Sequence, residues 1–516
     1  MTNAVVDSPF RKTWMHDVSD HRQRIADAVV LAAGDGTRLT SHTPKQLLPL
    51  LGVPLLARTL FTLEEAGLET AHVVVGYQAE KIRREIERIG RLNIEVRWLY
   101  NDQWRKSNGL SALAAEAVLR GPFILTMADH LFDPAVVIAL TENVHRLQGI
   151  DLAVDYRIDG VLDLEDATKV QVESDHIVAI GKALPTYDAI DTGVFLASPA
   201  LFAALRASCE DGDAALSDGV QKLAAAGMAR ATDIGDRMWY DVDTPEDVAE
   251  AERRLMAGVR RSTDGPIARY INRPISTAVS RRVVRTSITP NQVSVAALVI
   301  GLVSAGFAAA GGYLSFLLSG ILFQAASILD GTDGEVAKLT FRGSYRGEWV
   351  DTICDNIAYL AFLVGLIIGV HRSPLPDFYF WTGVLGLAAV FLSLANISFY
   401  LLRRGKSGSA LAVRYGFQKG NGPLSRVLRV LQYLGKRDLM AAWVLLLAVV
   451  GQLPLVLPMA GIAATFLLLP ATVRANLSSL RRARRDRQAP LLGARVDRPD
   501  WLVQAEPERA RETAAG

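Results

Sequence analysis

The stretch that decides the fold is Asp330–Asp355, which reads DGTDGEVAKLTFRGSYRGEWVDTICD and lies between long apolar runs. Each end carries a pair of aspartates, spaced i, i+3 at one end and i, i+4 at the other, so each pair shares one face of a helix. These aspartates are Asp330, Asp333, Asp351 and Asp355. Carboxylates at the ends of membrane helices are costly and indicate function. Because four like charges repel, we expect them to bind divalent cations, of which Mg²⁺, Mn²⁺ and Ca²⁺ favour hard oxygen ligands.

The flanking sequence is typical of a membrane protein. No charged residue occurs from Gln292 to Leu329, a run long enough for two helices of about 20 apolar residues each. Further runs that begin near Trp349, Phe378 and Met440 predict four more spans, so we expect an all-α domain of six transmembrane helices. Lys and Arg are concentrated in alternate loops. This pattern predicts a multi-pass protein of the cytoplasmic membrane, with both termini and both active sites on the cytoplasmic side.

The spacing of this stretch resembles the signature of the CDP-alcohol phosphatidyltransferase family, D-x2-D-G-x2-A-R-x8-G-x3-D-x3-D. Gly334, Ala337 and Gly347 match it, while Lys338 stands where the family has Arg. The resemblance implies nucleotide contacts at Gly334, Ala337 and Lys338, and metal ions held by the four aspartates. It also implies that Asp355 is the base that activates an acceptor hydroxyl, and that the protein is a homodimer. A transporter with an acidic ion path would not explain the matched glycines.

The N-terminal half predicts a soluble domain with a phosphate-binding turn. Ala28–Leu39 (AVVLAAGDGTRL) is an apolar strand that runs into a glycine-rich turn, where backbone N–H groups can cradle phosphates. Arg38 and Lys45 follow, and two cations there suit a triphosphate and its departing pyrophosphate. Asp129 ends a predicted buried strand, and Asp243 lies just before a helix predicted to begin at Pro245. Taken alone, such residues are more often strand ends or helix caps than metal ligands.

Together, LAAGDGTRL and PKQLLPLLGVPLL resemble the sugar-phosphate nucleotidyltransferase family. The resemblance implies a mixed, Rossmann-like α/β sheet with helices on both faces. It also implies that Arg38 and Lys45 are catalytic and that Asp129 and Asp243 hold Mg²⁺. The residues that it assigns to nucleotide binding are Leu31, Ala33, Gly34, Gly36, Arg38, Lys45, Asn108, Gly109 and Ser111. The residues that it assigns to the acceptor are Lys169, Asp191 and Gly193.

The two activities fit one reaction sequence, because an NDP-alcohol made by the first domain can be the substrate of the second. The fusion resembles bifunctional inositol-phosphate enzymes, which implies CTP, inositol-1-phosphate and CDP-inositol as ligands and CMP as a product. Arg403 and Arg404 follow the fourth span and could hold the acceptor phosphate, although basic residues there equally set topology. Three alternatives stay open: another polyol phosphate, a lipid acceptor as in a phospholipid synthase, and a non-catalytic nucleotide-binding module on a lipid synthase.

The uneven distribution of charge sets the predicted domain boundaries. A net charge of +2 gives no sign of a nucleic-acid partner, and two cysteines, Cys209 and Cys354, are too few for a disulfide framework or a thiolate zinc site. The predicted regions are an N-terminal extension (1–25), a cytosolic nucleotidyltransferase domain (26–257), a linker or juxtamembrane amphipathic segment (258–288), the membrane domain (289–478) and a basic, disordered tail (479–516).

Overall fold

The strands that the structure describes lie in the N-terminal half of the chain. The computed structural model describes residues 25–36, 43–160, 164–209, 212–259, 265, 267–404, 422 and 437–488. Within them the strands are β1 Asp27–Ala32, β2 Pro49–Leu50, β3 Val53–Pro54, β4 Thr70–Val75, β5 Glu95–Tyr100, β6 Phe123–Met127, β7 His130–Phe132, β8 Ile150–Asp155, β9 Lys169–Glu173, β10 His176–Gly181, β11 Ala189–Ala197, β12 Ala229–Asp233 and β13 Trp239–Asp241.

Nine of these strands form one mixed sheet in the order β5-β4-β1-β6-β11-β8-β12-β10-β9. The first four are parallel, and β11 runs antiparallel to its neighbours β6 and β8. The small strands β7 and β13 pair separately, as do β2 and β3. The predicted mixed α/β sheet is therefore confirmed. Because β1, β4 and β6 are parallel, their carboxyl ends lie at one edge, where ligands bind in such sheets.

Helices cover both faces of this sheet. They are α1 Leu55–Glu65, α2 Ala79–Ile89, α3 Asn108–Leu113, α4 Pro134–Glu142, α5 Ala200–Ser208, α6 Leu216–Ala225 and α7 Pro245–Gly258, with short 3₁₀ helices at Lys45–Leu47, Val144–Arg146 and Ile158–Gly160. Alternate residues of β1 enter different cores, since Val30 packs with Leu60 of α1 whereas Val29 packs with Phe202 of α5. A strand buried on both faces reads as a continuous apolar run, which is the pattern of AVVLA.

The C-terminal half is helical. Its elements are a π-helical turn at Ala268–Asn272, α8 Arg273–Val283, α9 Pro290–Ala310, α10 Tyr313–Leu339, α11 Tyr345–Arg372, α12 Asp377–Arg404, α13 Arg437–Val449, a 3₁₀ turn at Leu453–Leu455, α14 Val456–Ile462, a π-helical stretch at Ala463–Leu468, and α15 Leu469–Gln488. Gly311 and Gly312, with φ of 75° and 79°, make the turn between α9 and α10. Only glycine adopts two such conformations in succession without strain.

Five stretches of this half are long and apolar enough to cross a membrane. They are Pro290–Ala310, Tyr313–Leu339, Tyr345–Arg372, Asp377–Leu402 and Leu453–Ser478. The sequence predicts six spans, and the difference lies in α13. In the part of the chain that the structure describes, α13 has 13 residues, which is short of the roughly 20 that a bilayer requires. The helical membrane domain is therefore confirmed with five candidate spans.

The predicted C-terminal tail begins with a helix. Helix α15 continues to Gln488, so residues 479–488 are helical where a disordered tail was predicted. The reason is that leucine, alanine and arginine, which favour helices, dominate SSLRRARRDRQ. Residues 489–516 and 1–24 lie outside the described residues.

The chain forms two compact units. The first contains the described residues up to Ala297 and again Ala325–Asp351; the second contains Leu298–Gln324 and the described residues from Thr352 onward. The boundary passes through α10 and α11, and each of these is a continuous helix. The domain boundaries drawn from the sequence stay predictions.

Within the first unit, helix α8 packs its polar face on α10. Arg273, Ser276 and Ser280 lie along that face and donate hydrogen bonds to the Glu335 carboxylate at 2.7, 2.7 and 2.5 Å. The side chain of Glu335 is 1% exposed, so these bonds are what allow its burial. The segment 258–288, predicted to be a linker or a juxtamembrane amphipathic segment, thus contains a helix, α8, that is hydrogen-bonded to α10.

Candidate active sites

The turn after β1 is shaped by a glutamine and a glycine. Gln46 Nε2 donates to the carbonyl oxygens of Ala32 and Gly34, both at 2.8 Å. Gly36 has φ of 62°, and a Cβ at this position would lie 2.3 Å from Lys45 Cβ. A side chain at residue 36 would therefore displace Lys45. Around Gly34 the space is open, since a Cβ there would meet no atom within 4 Å.

Two further predicted nucleotide-binding residues lie at the end of β1. Leu31 and Ala33 are buried, at 7% and 4% exposure, so they can offer a ligand backbone groups rather than side chains. Arg38 lies outside the described residues.

The predicted nucleotide-binding residues on α3 make contacts within the protein. Asn108 accepts a hydrogen bond from the backbone N–H of Leu216 at 2.9 Å, and Ser111 accepts one from Asn101 at 2.9 Å. A Cβ at Gly109 would lie 2.4 Å from a neighbouring carbonyl oxygen, so α3 packs closely there. Asn108 also lines the cavity described below.

A lysine joins the two aspartates predicted to hold a metal ion. Lys45 Nζ donates to Asp129 Oδ2 at 2.7 Å and forms an ion pair with Asp243 Oδ1. Its side chain is 8% exposed, whereas those of Asp129 and Asp243 are 29% and 34% exposed. The structure thus brings together three residues that lie far apart in the sequence. The two carboxylates are partly exposed, and the ammonium group that joins them is buried.

Neighbouring carboxylates keep the side chain of Lys45 protonated. Burial alone would lower the pKa of Lys45, but the carboxylates of Asp129, Asp241 and Asp243 outweigh this and raise the pKa above its ordinary value. Lys45 is therefore a permanent cation at neutral pH. Such a group stabilises negative charge on a phosphate without any change in protonation.

A second charged pair, His130 and Asp241, lies beside this group. His130 Nδ1 donates to the carbonyl oxygen of Thr192 at 2.7 Å, and its Nε2 lies 3.5 Å from Asp241 Oδ1. Burial favours neutral imidazole, but the Asp241 carboxylate outweighs burial and raises the pKa of His130 to about 10. Asp129, His130 and Asp241 have ligand atoms within 4.8 Å of one another. This group is therefore a second set of side chains at the sheet edge that could hold a metal ion.

A cavity of about 650 Å³ opens next to these residues. Its lining includes Asp129, Asp191, Asp243 and Lys182. Burial raises the pKa of Asp191 to about 6, although the backbone N–H of residue 193 donates to its carboxylate at 2.6 Å. Lys169 is not part of the lining, because its ammonium donates to the carbonyl oxygen of Lys182 at 2.8 Å. Of the predicted acceptor residues in this half, Asp191 faces the cavity most directly.

Gly193 leaves room for His130. Its φ is 70°, and a Cβ here would lie 2.2 Å from His130 Nδ1. We expect Gly193→Ala to lower the midpoint of thermal unfolding and to weaken any activity of this site about tenfold, because it adds a backbone cost of roughly 1–2 kcal/mol and displaces the imidazole. Gly227→Ala is the matched control, since Gly227 has the same φ of 70° but open space around it. Equal effects of the two substitutions would show that the contact with His130 is unimportant.

The second acidic group lies on α10 and α11. Asp330 and Asp333 are on α10, and Asp351 is near the start of α11. A carboxylate oxygen of Asp330 lies within 4.8 Å of one from Asp351, a separation at which both can bind one metal ion. Asp333 is 7% exposed and accepts a hydrogen bond from Ser294. Asp355 follows Asp351 by one helical turn on α11 and so lies on the same helix face.

Asp355 also has a basic neighbour. Within the second unit, Arg437 at the start of α13 forms an ion pair with the Asp355 carboxylate. The backbone of Arg403 and Arg404 ends helix α12, and their side chains lie outside the described residues.

The remaining predicted residues of this half lie on α10. Gly334 and Ala337 are within the helix, on the turn after the aspartates. Lys338 donates from Nζ to the carbonyl oxygen of Gly258 at 2.7 Å. Its ammonium group thus contacts the end of α7 in the structure described here.

Four residues that shape these sites are not among those predicted: Gln46, His130, Asp241 and Arg437. Two of them carried a local signal, because Gln46 belongs to the motif PKQLLPLLGVPLL and Asp241 forms a D-x-D pair with Asp243 in MWYDVD. His130 meets Asp241 through the pairing of β7 with β13, which no sequence spacing reports. Arg437 precedes an apolar run, where a basic residue is more typical of a topology signal.

Both halves match known families. Residues 28–232 match the model of the MobA-like NTP transferase domain, and residues 287–472 match that of CDP-alcohol phosphatidyltransferase. A protein of Aquifex aeolicus named bifunctional IPC transferase and DIPP synthase is 33% identical over 438 residues, which cover 83% of this chain and 92% of that protein. A protein of the same name from Thermococcus kodakarensis is 35% identical over 370 residues, covering 71% and 81%.

Solved structures include one similar to the N-terminal half. The inositol-1-phosphate CTP transferase from T. maritima is 27% identical and covers 46% of this chain and 100% of that chain, with a TM-score of 0.42.

Proposed function

Because the chain belongs to the family of bifunctional IPC transferases and DIPP synthases, we propose that it catalyses two consecutive reactions. The first makes CDP-inositol and pyrophosphate from CTP and inositol-1-phosphate. The second transfers the inositol phosphate group to a second inositol phosphate, which gives di-myo-inositol phosphate phosphate and CMP. The observation that carries this proposal is that one chain holds two separate acidic groups, one beside a cavity at a sheet edge and one on two apolar helices.

In the first reaction, a phosphate oxygen of inositol-1-phosphate attacks the α-phosphorus of CTP. A P–O bond forms to this oxygen, and the bond to the bridging oxygen of pyrophosphate breaks. Lys45, as a permanent cation, offsets the charge that develops on the phosphate oxygens. Gly34 and Gly36 let the backbone approach the triphosphate, and the acceptor occupies the cavity beside Asp191.

The donor set of the first site fits Mg²⁺, with Mn²⁺ as a substitute. Lys45 contacts one oxygen each of Asp129 and Asp243, and a carboxylate offers two. Oxygen ligands from one or two carboxylates, completed by phosphate and water, are the usual environment of this ion. Bound there, Mg²⁺ would neutralise phosphate charge and orient CTP.

In the second reaction, a hydroxyl of the acceptor attacks the β-phosphorus of CDP-inositol. The P–O bond to CMP breaks, and the hydroxyl proton passes to the Asp355 carboxylate. The four aspartates of α10 and α11 offer hard oxygen ligands for Mg²⁺, which would neutralise the diphosphate. Gly334 and Ala337 leave space for the nucleotide. Arg403 and Arg404 are our candidates for the acceptor phosphate.

We propose that this protein lies in the cytoplasmic membrane with both termini and both sites facing the cytoplasm, and that two chains form a homodimer. Both termini lie on one side only with an even number of spans, so we count α13, which has 13 described residues, as a sixth span beside the five candidates. Loop charges support the orientation, because Arg281, Arg282 and Arg285 precede the first span and Arg342 and Arg346 lie between α10 and α11. Labelling of single introduced cysteines with a membrane-impermeant maleimide tests the orientation. If Gly343→Cys reacted with the reagent from the external face, the proposed orientation would be wrong.

The test of the proposed function uses purified full-length protein in detergent. Incubation with CTP and inositol-1-phosphate should release pyrophosphate, and added inositol phosphate should then yield CMP and a product with two inositol rings. Parallel incubations replace inositol-1-phosphate with another polyol phosphate, or the acceptor with lipid vesicles. Turnover confined to one of these would assign a different substrate. If no polyol phosphate gave pyrophosphate while supplied CDP-inositol still gave CMP, we would conclude that the first domain is non-catalytic.

Removal of divalent ions gives a further prediction. With EDTA, we expect both pyrophosphate release from CTP and CMP release from CDP-inositol to stop, because both acidic groups then face phosphates without a counter-ion. Excess Mg²⁺ should restore both. Either activity persisting in EDTA would contradict the metal assignment at that site.

A further inference from the structure

The turn that joins α10 to α11, residues 340–344, is held by an aromatic stack. The ring of Phe341 lies 4.9 Å from that of Phe61 on α1, and the two planes differ by 13°. The Arg58 guanidinium lies 5.7 Å from the centre of the Phe341 ring. Phe341 has φ of 53°, a conformation that bulky residues rarely adopt. Such a conformation persists only where surrounding contacts hold it.

Two arginines of the nucleotidyltransferase fold bind the carbonyl groups at this turn. Arg58 is 3% exposed and donates to the carbonyl oxygen of Leu339 at 2.9 Å, while also donating to that of Leu50 at 2.6 Å. Arg91 donates to the carbonyl oxygens of Thr340 and Phe341, both at 3.3 Å. The last carbonyls of a helix lack partners within it, and cations there complement its dipole. The end of α10 is thus capped by side chains from a different fold.

Apolar packing and a lysine complete the attachment. Val336 and Leu339 of α10 share a buried cluster with Leu51 and Val259 of the nucleotidyltransferase fold. Lys338 reaches the carbonyl oxygen of Gly258. Five of the six residues from 336 to 341 therefore contact this fold, through apolar packing, hydrogen bonds and an aromatic stack.

The same helix bears the acidic residues of the second site. Asp333 lies less than one turn before Val336, and Asp330 one turn earlier, so a helix moves these carboxylates together with its end. Asp351 follows the turn on α11. We propose that the nucleotidyltransferase fold is a structural part of the phosphotransferase site, with Arg58 and Phe61 as positioning residues that hold the joining turn and thereby the spacing of Asp330, Asp333 and Asp351. This proposal rests on the proposed function of the two sites.

The test substitutes Phe341 in the full-length protein and measures the two reactions separately. With supplied CDP-inositol, Phe341→Ala should lower CMP release by about 10²-fold, the effect of an active-site misplacement of about 1 Å, and should raise the Mg²⁺ concentration for half-maximal release. Pyrophosphate release from CTP should stay within about threefold, because Phe341 lies outside the first cavity. Phe341→Tyr keeps the ring and should retain CMP release.

A matched control separates positioning from general loss of stability. Phe202 is a buried phenylalanine of the same fold that stacks on Phe123 at 5.3 Å. It belongs to a different hydrophobic cluster from the one that contains Phe61 and contacts Phe341. Phe202→Ala should lower the midpoint of thermal unfolding and pyrophosphate release, yet leave CMP release by the folded fraction within about threefold. Equal loss of CMP release in Phe202→Ala and Phe341→Ala would overturn the proposal, as would unchanged CMP release in Phe341→Ala.

Hydrogen exchange provides a readout that needs no substrate. In Phe341→Ala the amides of residues 336–347 should exchange at least about tenfold faster than in the parent, whereas Phe202→Ala should leave them unchanged. Unchanged exchange in Phe341→Ala would also overturn the proposal. Failure of the proposed function would give a different result, because the unsubstituted protein itself would then release no CMP from CDP-inositol.

Discussion

Replacing Asp351 with Asn is expected to lower CMP release from CDP-inositol by about 10³-fold and to leave pyrophosphate release from CTP unchanged. The substitution removes the negative charge of the Asp351 carboxylate, one oxygen of which lies within 4.8 Å of an Asp330 oxygen. Asn keeps the size and helix propensity of the side chain but lowers its affinity for Mg²⁺. A metal contact of about 4 kcal/mol in the transition state corresponds to about three factors of ten in rate.

The measurement compares the two reactions in one preparation of full-length protein. Glu348→Gln is the matched control, because Glu348 is a carboxylate on the same helix that does not belong to the acidic group. It should keep CMP release within about twofold. If Asp351→Asn keeps CMP release at the level of this control, the assignment of Asp351 as a metal ligand is wrong.

Replacing Lys45 with Ala should have the converse effect, lowering pyrophosphate release by about 10²–10³-fold while CMP release from supplied CDP-inositol persists. Lys45 contacts Asp129 and Asp243 at once, so its loss leaves two facing carboxylates without their cation. Removal of one group that stabilises transition-state charge typically costs a factor of this size.

Lys106→Ala controls for the loss of a positive charge from the same fold. Lys106 is exposed and donates to the carbonyl oxygen of Gly212, outside the lining of the cavity. Its substitution should change pyrophosphate release less than about twofold. Comparable activities of Lys45→Ala and Lys106→Ala would remove Lys45 from the catalytic residues.

Features that depend on spacing along the chain could be predicted from the sequence. The continuous apolar strand at Ala28, the glycines at positions 34 and 36, and the aspartate pairs of α10 and α11 all follow from local periodicity and backbone requirements. Helix α13 is shorter in the structure than its sequence predicts. The apolar run from Met440 predicts a complete span, whereas the described helix has 13 residues and is followed by a glycine with φ of 72° at position 451.

Features that depend on tertiary pairing could not be predicted. Phe341 reads as an ordinary loop residue, and its role follows from a stack against Phe61. Arg58 sits in an apolar helix, where a basic residue signals exposure, yet it is 3% exposed because carbonyl groups from two segments surround its guanidinium. Glu335 likewise depends on three partners from α8, which no spacing within the Asp330–Asp355 stretch reveals. Charged side chains such as Arg58 and Glu335 can be buried because residues from other parts of the chain form hydrogen bonds with them.

The length of α10 bears on how a water-soluble molecule reaches the aspartates. Its 27 residues form a helix about 40 Å long, whereas the hydrocarbon core of a bilayer is about 30 Å thick. Were exposed Tyr313 to mark one boundary of that core, roughly the last quarter of the helix would extend past the other boundary. On the same arithmetic Asp333 would lie at that boundary and Asp330 about 4–5 Å inside it, so a sugar nucleotide would meet the aspartates of α10 at the edge of the hydrocarbon core rather than at its centre.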